Sequence, residues 1–183
     1  MKGHPGCGKS TLARSIASAL KIPLIDKDDI KDSIVPLQHQ LTSLPDSLVN
    51  DLSLHATWQI ASTQLGLGLS VLVDSTLSRK FHFDRLLCLA ASTSARLIII
   101  ECKSLDNDVW RRRLEHRDID GRKPATWQEL GKLLEEYGGC TEYDVGDVPK
   151  MVVDMTATVP LEHTCSAVLD FIFCHAVSTT SVV

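Results

Sequence analysis

The chain has 183 residues, of which 44% are hydrophobic and 23% are charged, and its formal net charge is −4. This length suits a single domain with a substantial core, and the slightly acidic balance argues against a general binder of nucleic acids or membrane surfaces. No apolar run is long enough to cross a bilayer and no signal peptide is recognisable, so we expect a cytoplasmic location unless an upstream targeting segment has been lost.

The first third of the chain is predicted to form helices separated by a short strand. Helical spacing covers residues 9–21, and the stretch "IPLID" at 22–26 is typical of a strand. A brief helix is predicted over 27–35 and a loop over 36–45, because prolines stand at both ends of that loop. Asp46 is a favourable N-cap for a long helix that is predicted to end at Gln64.

The remaining two thirds continue the alternation of strands and helices. Strands are predicted at 69–74, 96–102 and 150–155, and helices at about 80–92, 106–117, 126–137 and 160–174, the third of these capped at Thr126. This order predicts one α/β domain over 1–183 with a mainly parallel sheet, its last strand and helix covering about 149–175.

The six cysteines show no C-x-x-C pair and no spacing typical of zinc ligands, so we expect free thiols. All of them except Cys7 are predicted to fill the core, because a free cysteine behaves as a small hydrophobic residue. The six cysteines are Cys7, Cys88, Cys102, Cys140, Cys165 and Cys174.

Residues 3–10 read G-x-x-x-x-G-K-S, the pattern of a loop that binds nucleotide phosphates. Its glycines let successive backbone N–H groups face one phosphate, and the helix that follows adds the positive end of its dipole. Lys9 is expected to reach the β- and γ-phosphates, and the Ser10 hydroxyl to hold Mg²⁺. The predicted nucleotide-binding residues are Gly3, His4, Pro5, Gly6, Cys7, Gly8, Lys9, Ser10 and Thr11.

Carboxylates follow two of the predicted strands. Asp74 ends the strand "LSVLVD" and could hold a water on Mg²⁺, with Thr76 assisting, or could simply cap a turn. Asp26 and Asp28 come directly after "IPLI", at the edge of the sheet where open α/β sheets bind their ligands. One of them could take the proton of an acceptor hydroxyl, the alternative being a solvated acidic start of a helix.

The segment "RRRLEHRDIDGRKP" concentrates basic residues in an otherwise acidic chain. Arg117 and Arg122 flank a short loop that contains Gly121, so we predict a lid at about 117–124 whose arginines stabilise a transferring phosphoryl group. The arginines at 111–113 occupy successive helical positions and cannot all face one ligand, which favours a solvated helix face for them.

Four stretches occur in the order and spacing of the P-loop kinase-like family: "GHPGCGKSTLAR", "PLIDKDDIKDSI", "VLVDSTLSR" and "RLIIIECKSLDNDVWRRRLEHR". The chain resembles that family over about residues 3–122; the family includes polynucleotide 5′-kinases, chloramphenicol phosphotransferase and zeta-toxin-like proteins. The resemblance implies a three-layer α/β/α sandwich with parallel strand order 2-3-1-4-5, and ATP and Mg²⁺ as cofactors.

The same resemblance assigns roles to individual residues. Lys9 and Ser10 match the Walker A pair, Asp28 the catalytic aspartate, and Asp74 the aspartate at the end of the third strand. Arg122 is similar in position to a lid arginine.

The phosphoryl acceptor is not identified by the motifs. Polynucleotide kinases have an arginine where Lys31 stands here, and lysine lacks the two-pronged geometry of a guanidinium. We therefore expect a kinase that acts on a hydroxyl of a small molecule, without a membrane partner. A nucleotide-binding protein without useful turnover and a polynucleotide 5′-hydroxyl kinase are the alternatives.

The strand before the phosphate loop is the unusual feature. In the resembling family that strand is central, and central parallel strands are apolar runs of about five residues. Here only Met1 and Lys2 precede the loop. We therefore expect this strand to be missing or vestigial in a shortened form of the protein, which would fold poorly alone or leave a gap in the sheet.

Overall fold

The computed structural model describes residues 1–40, 45–116, 124, 126–138 and 141–176. Strands and helices alternate along these residues in the order that the sequence predicts. They are β1 (Lys2–Gly3), α1 (Lys9–Leu20), β2 (Leu24–Asp26), α2 (Lys27–Gln40), α3 (Asp46–Gly66), β3 (Leu72–Asp74), α4 (Lys80–Ser92), β4 (Ile99–Lys103), α5 (Asn107–Glu115), α6 (Trp127–Tyr137), β5 (Lys150–Asp154) and α7 (Leu161–Ala176).

All strand pairs are parallel in the described part of the chain. β2 pairs with β3, and β4 pairs with β5 on one side and with β1 on the other. The amino group of Met1 donates to the Val73 carbonyl at 2.7 Å, and the Gly3 N–H donates to the Thr76 carbonyl at 3.3 Å. These two contacts put β1 between β3 and β4. The spatial order is therefore β2-β3-β1-β4-β5, and the fold that the resemblance implies is confirmed.

The central strand is vestigial, as expected. β1 contributes two residues, with Lys2 opposite Glu101 and Gly3 opposite Cys102. Among the described residues the strands consequently form two hydrogen-bonded groups, β2–β3 and β1–β4–β5. Lys2 is buried and forms an ion pair with Glu101, so a charged residue occupies an interior position that usually holds an apolar one.

Helices cover both faces of the sheet, which explains why β4 is apolar without alternation. Ile100 packs into a core cluster with Leu12 of α1 and Val168 of α7. Its neighbour Ile99 packs on the opposite face, in a cluster with Trp58 of α3 and Phe83 of α4 among others. Within the described residues, no helix is both long and apolar enough to span a membrane.

The boundaries of two helices differ from the prediction. α2 continues through Pro36 to Gln40, so the predicted loop is wrong for 36–40, while 41–44 lie outside the described residues. A proline inside a helix costs one backbone hydrogen bond, and here the packing of α2 along α3 outweighs that loss. Pro45, not Asp46, occupies the N-cap position of α3, which ends at Gly66.

The cysteine predictions hold in part. Each described cysteine is a free thiol, and Cys102 and Cys165 fill the core as expected. Cys88 and Cys174 are exposed, so their core assignment is wrong: they lie on the solvent faces of α4 and α7. Cys140 lies outside the described residues.

Candidate functional site

The predicted phosphate loop connects β1 to α1. Gly8 stands at the N-cap of α1 in a left-handed conformation with φ of 89°, which favours glycine. A Cβ atom at Gly8 would also lie 3.2 Å from the Met155 methyl carbon. The N-cap residue Gly8 makes no side-chain hydrogen bond to α1, and no acidic residue stands in the first turn of the helix. The first N–H groups of the helix and the positive end of its dipole are thus available to an anion.

Behind the loop, Lys9 forms a buried ion pair with Asp74. Lys9 Nζ lies 2.8 Å from Asp74 Oδ1, and Asp74 is completely buried at the end of β3. Burial lowers the pKa of Lys9, but the Asp74 carboxylate more than offsets this effect, and the net shift is upward. Asp74 Oδ2 has no hydrogen-bond partner among the described residues. A buried carboxylate oxygen without a partner is suited to a cation or a cation-bound water.

A cavity of about 1250 Å³ opens in front of the loop. Most of the predicted site residues line it, and they come from the end of β1, the start of α1, the start of α2 and the segment after β3. Those residues are His4, Pro5, Gly6, Gly8, Lys9, Ser10, Thr11, Asp28 and Thr76. Asp74 is buried behind Lys9 and does not line the cavity.

The two candidate bases after β2 have different surroundings. Asp28 lines the cavity, and Lys27 Nζ lies 3.6 Å from its Oδ1 and donates to Asn50 Oδ1 at 2.7 Å. Asp26 is buried, and its Oδ1 accepts the Asp28 N–H at 2.9 Å. Burial raises the pKa of Asp26, partly offset by that N–H, and the nearby carboxylates raise it further. This geometry favours Asp28 over Asp26 as the group that meets a ligand.

Two of the predicted nucleotide-binding residues face elsewhere. Gly3 and Cys7 line a separate cavity of about 100 Å³, and the Cys7 side chain lies in the core beside Cys102. A hydrogen bond from the Cys102 thiol lowers the pKa of Cys7 and raises that of Cys102. From this position Cys7 can offer a phosphate its backbone but not its side chain.

α5 and α6 brace the loop from the β4 side. The Trp110 indole N–H donates to the Pro5 carbonyl at 3.1 Å, and the Trp110 ring packs edge-on against Trp127 with centroids 5.4 Å apart. The His4 ring stacks with Trp110 and with Tyr137, at centroid distances of 6.1 and 6.2 Å. Burial is the main cause that lowers the pKa of His4, so this histidine favours its neutral form.

The three successive arginines of α5 point to different partners. Arg111 pairs with Glu115 at 2.9 Å, and Arg112 donates to its own helix. Arg113 donates to the Met155 carbonyl and lines the large cavity. The sequence did not distinguish Arg113 from its two neighbours.

The predicted lid falls outside what the structure describes. Arg117 and Arg122 both belong to the segment 117–123, so their role stays a prediction. Pro124, directly after it, lines the cavity.

Further cavity residues were missed by sequence reasoning. Arg79 and His82 line the cavity from the start of α4, and Asn50 lines it from within α3. Arg79 ends the stretch "VLVDSTLSR", so the motif carried a signal for it. Asn50 carried none, because a polar residue inside a helix usually faces solvent.

A family model described as AAA domain matches residues 1–137. Three solved structures resemble the chain over most of their length, each at less than 25% identity, which shows a shared fold. A Chloroflexus aurantiacus protein described as a candidate kinase is 22% identical, covers 95% of this chain and 94% of its own, and has a TM-score of 0.73.

The other two structures carry more specific names. A gluconokinase from Sinorhizobium meliloti is 22% identical over 96% of this chain and 90% of its own, with a TM-score of 0.64. A shikimate kinase from Aquifex aeolicus is 15% identical over 96% of both chains, with a TM-score of 0.62. No curated protein sequence matches the chain.

Proposed function

Since this chain belongs to the AAA domain family and has a P-loop kinase-like fold, we propose that it is an ATP-dependent kinase for a small hydroxyl-bearing molecule. The observation that carries the proposal is one cavity lined by Lys9, Ser10 and Asp28 in front of the uncapped start of α1. The names of the similar structures, a gluconokinase and a shikimate kinase, support a small acceptor.

The cavity fits a nucleotide triphosphate with a divalent cation. The N–H groups at the start of α1 bind phosphate oxygens, and Lys9 exchanges part of its contact with Asp74 for the β- and γ-phosphates. Ser10 and the unpartnered oxygen of Asp74 would hold Mg²⁺. When bound, Mg²⁺ neutralises charge on the phosphate oxygens and orients them.

Asp28 then accepts the proton of the acceptor hydroxyl as that oxygen attacks the γ-phosphorus and ADP leaves. The position of Asp28 in the cavity, beside the ammonium of Lys27, supports this role. Arg113, together with Arg117 and Arg122 of the predicted lid, supplies positive charge toward the transferring phosphoryl group.

The test is acceptor-dependent turnover of Asp28→Asn beside Asp29→Asn, an exposed neighbour in the same helical turn that does not line the cavity. Small alcohols, nucleosides and 5′-hydroxyl oligonucleotides serve as acceptors, and ADP and phosphorylated product are measured together. We expect Asp28→Asn to lower turnover about 10²- to 10⁴-fold with ATP affinity retained, and Asp29→Asn to behave like the parent chain.

Three results would contradict this assignment. Unchanged turnover in Asp28→Asn removes the base, and a collapse in Asp26→Asn alone moves the role to Asp26. ATP binding without any acceptor-dependent product favours a nucleotide-binding protein without turnover.

A further inference from the structure

The acceptor side of the cavity has a composition of its own. β2 and β3 lie on one side of β1, so the residues that follow them reach the cavity from that side, opposite α5 and α6. We define the acceptor side as Lys31 of α2, Asn50 and Asp51 of α3, and Arg79 and His82 at the start of α4. All five residues line the cavity around Asp28 and none belongs to the phosphate loop.

Among the described side chains that line the cavity on and beside the acceptor side, the positive charges outnumber the negative ones. The Lys27 ammonium donates to Asn50 and pairs with Asp28. The guanidinium of Arg79 and the ammonium of Lys31 make no hydrogen bond or ion pair with any described residue. Asp51 is exposed and is the one carboxylate among the five residues of the acceptor side, and the Asp28 carboxylate also lines the cavity.

A guanidinium without a protein partner at the wall of a cavity is suited to an anionic ligand. Its planar N–H groups bind a carboxylate or phosphate in a two-pronged manner, which an ammonium cannot reproduce. His82 lies one helical turn after Arg79. Its half-buried ring, whose pKa is lowered by burial and by the Arg79 charge, presents a neutral donor and acceptor for hydroxyl groups.

We propose that the acceptor is a small alcohol that also carries a carboxylate or phosphate group, and that Arg79, assisted by Lys31, binds this anionic group while Asp28 faces the hydroxyl. The inference rests on the proposed kinase function. It assigns Arg79 to substrate specificity and leaves the nucleotide to the phosphate loop.

The experiment compares matched pairs of probes on the protein loaded with Mg²⁺ and a non-hydrolysable ATP analogue. Gluconate is paired with glucose, and glycerol 3-phosphate with glycerol, so that the carboxylate and phosphate sources are separated. Affinities are measured by calorimetry for the parent chain, Arg79→Gln and Arg79→Lys. Arg85→Gln is the control, because Arg85 is exposed on the same helix and does not line the cavity.

We expect at least one anionic probe to bind more tightly than its neutral partner, by about tenfold or more. Arg79→Gln should remove this preference, Arg79→Lys should restore part of it, and Arg85→Gln should leave it intact. In turnover with ATP and the preferred probe, Arg79→Gln should raise KM more than it lowers kcat.

The proposal is overturned if neither anionic probe binds the loaded protein more tightly than its neutral partner, or if the preference survives Arg79→Gln. Preferential turnover of 5′-hydroxyl oligonucleotides over both anionic probes would also overturn it. A protein that fails to bind the ATP analogue in the first place contradicts the proposed function, so the two failures are distinguishable.

Discussion

Lys9 and Asp74 form a buried ion pair beside the proposed phosphate site. The ammonium of Lys9 neutralises a carboxylate that is completely buried. With a nucleotide, the same ammonium is expected on the phosphates and the same carboxylate near the cation. Each partner therefore protects the other from the desolvation cost of an unpaired buried charge until a ligand replaces it.

This pairing predicts a large stability effect in a double-mutant cycle. Lys9→Ala leaves Asp74 buried without its partner and should cost about 3–5 kcal/mol in urea unfolding. Adding Asp74→Asn should recover most of that loss, because the unpaired charge is gone. Lys80→Ala is the control: it breaks the exposed pair with Asp84 and should change stability by about 0.5 kcal/mol or less. A Lys9→Ala loss no larger than that of the control contradicts the buried pairing.

Asp26 gives a second residue-scale prediction, in the dependence of stability on pH. Its folded-state pKa is raised above the ordinary value of 3.8 by burial. At pH values between 3.8 and the raised folded-state pKa, the folded state holds a proton that the unfolded state has released. Stability therefore falls as pH rises through this window. Asp26→Asn keeps an oxygen that can accept the Asp28 N–H and removes the titration. Its stability relative to the parent chain should therefore increase from pH 4 to pH 7, and a constant difference would count against this account.

Single residues were predictable from the sequence where a motif fixes both identity and spacing. Lys9, Ser10 and Asp28 were found in this way, and all three line the cavity. The side-chain direction of Cys7 was not predictable, because it depends on the thiol of Cys102 across the central strand pair.

At the scale of elements, β1 depends on the close approach of two backbones. A Cβ atom at Gly3 would lie 2.5 Å from the Cys102 carbonyl oxygen, a distance that atoms of a backbone do not tolerate. Gly131, within α6, has no heavy atom within 4 Å of the corresponding Cβ position. Packing therefore requires glycine at position 3 but not at position 131, and the two glycines form a matched pair for comparison.

Gly3→Ala should destabilise the protein by at least about 1–3 kcal/mol, because the strands must separate or the backbone must strain. Gly131→Ala should stabilise it by about 0.5–1 kcal/mol, because alanine has the higher helix propensity. Thermal and urea unfolding measure both. If the two substitutions have the same sign, the close packing of β1 on β4 is not what stabilises this strand.

Elements with strong local signals were predicted well. α4 matches its predicted range, and α6 begins with a capping box between Thr126 and Glu129. α2 was predicted too short because Pro36 is a local helix breaker, whereas its continuation depends on packing against α3, which is distant in sequence. Tertiary contacts of this kind leave no mark in a local pattern.

At the scale of the whole molecule, the candidate site lies at the seam between the two groups of strands. The phosphate loop follows β1, which pairs with β4, whereas Asp74 ends β3 and Asp28 follows β2. The Lys9–Asp74 ion pair crosses this seam, beside the backbone contacts of Met1 and Gly3. A nucleotide in the cavity would contact both groups of strands, so its binding should stabilise the molecule as a whole.

The strand order was predictable from the resemblance, because the family's topology is known and its motifs occur in the same order in this sequence. The acceptor was not predictable, because the residues that line the proposed acceptor side come from α2, α3 and the start of α4. Arg79 and Asn50 line the same cavity only when those helices pack.

The most direct test of the central claim is a calorimetric titration with ATP and Mg²⁺ of the parent chain, Lys9→Ala and Lys80→Ala. The titration is run at a temperature where unfolding curves show all three to be folded. We predict binding at one site in the parent chain, unchanged affinity in Lys80→Ala, and affinity at least about tenfold weaker in Lys9→Ala, since a charge-assisted phosphate contact contributes about 1.5–3 kcal/mol. Equal affinity in Lys9→Ala, or no binding by the parent chain, would contradict the assignment of residues 3–10 as a nucleotide phosphate loop.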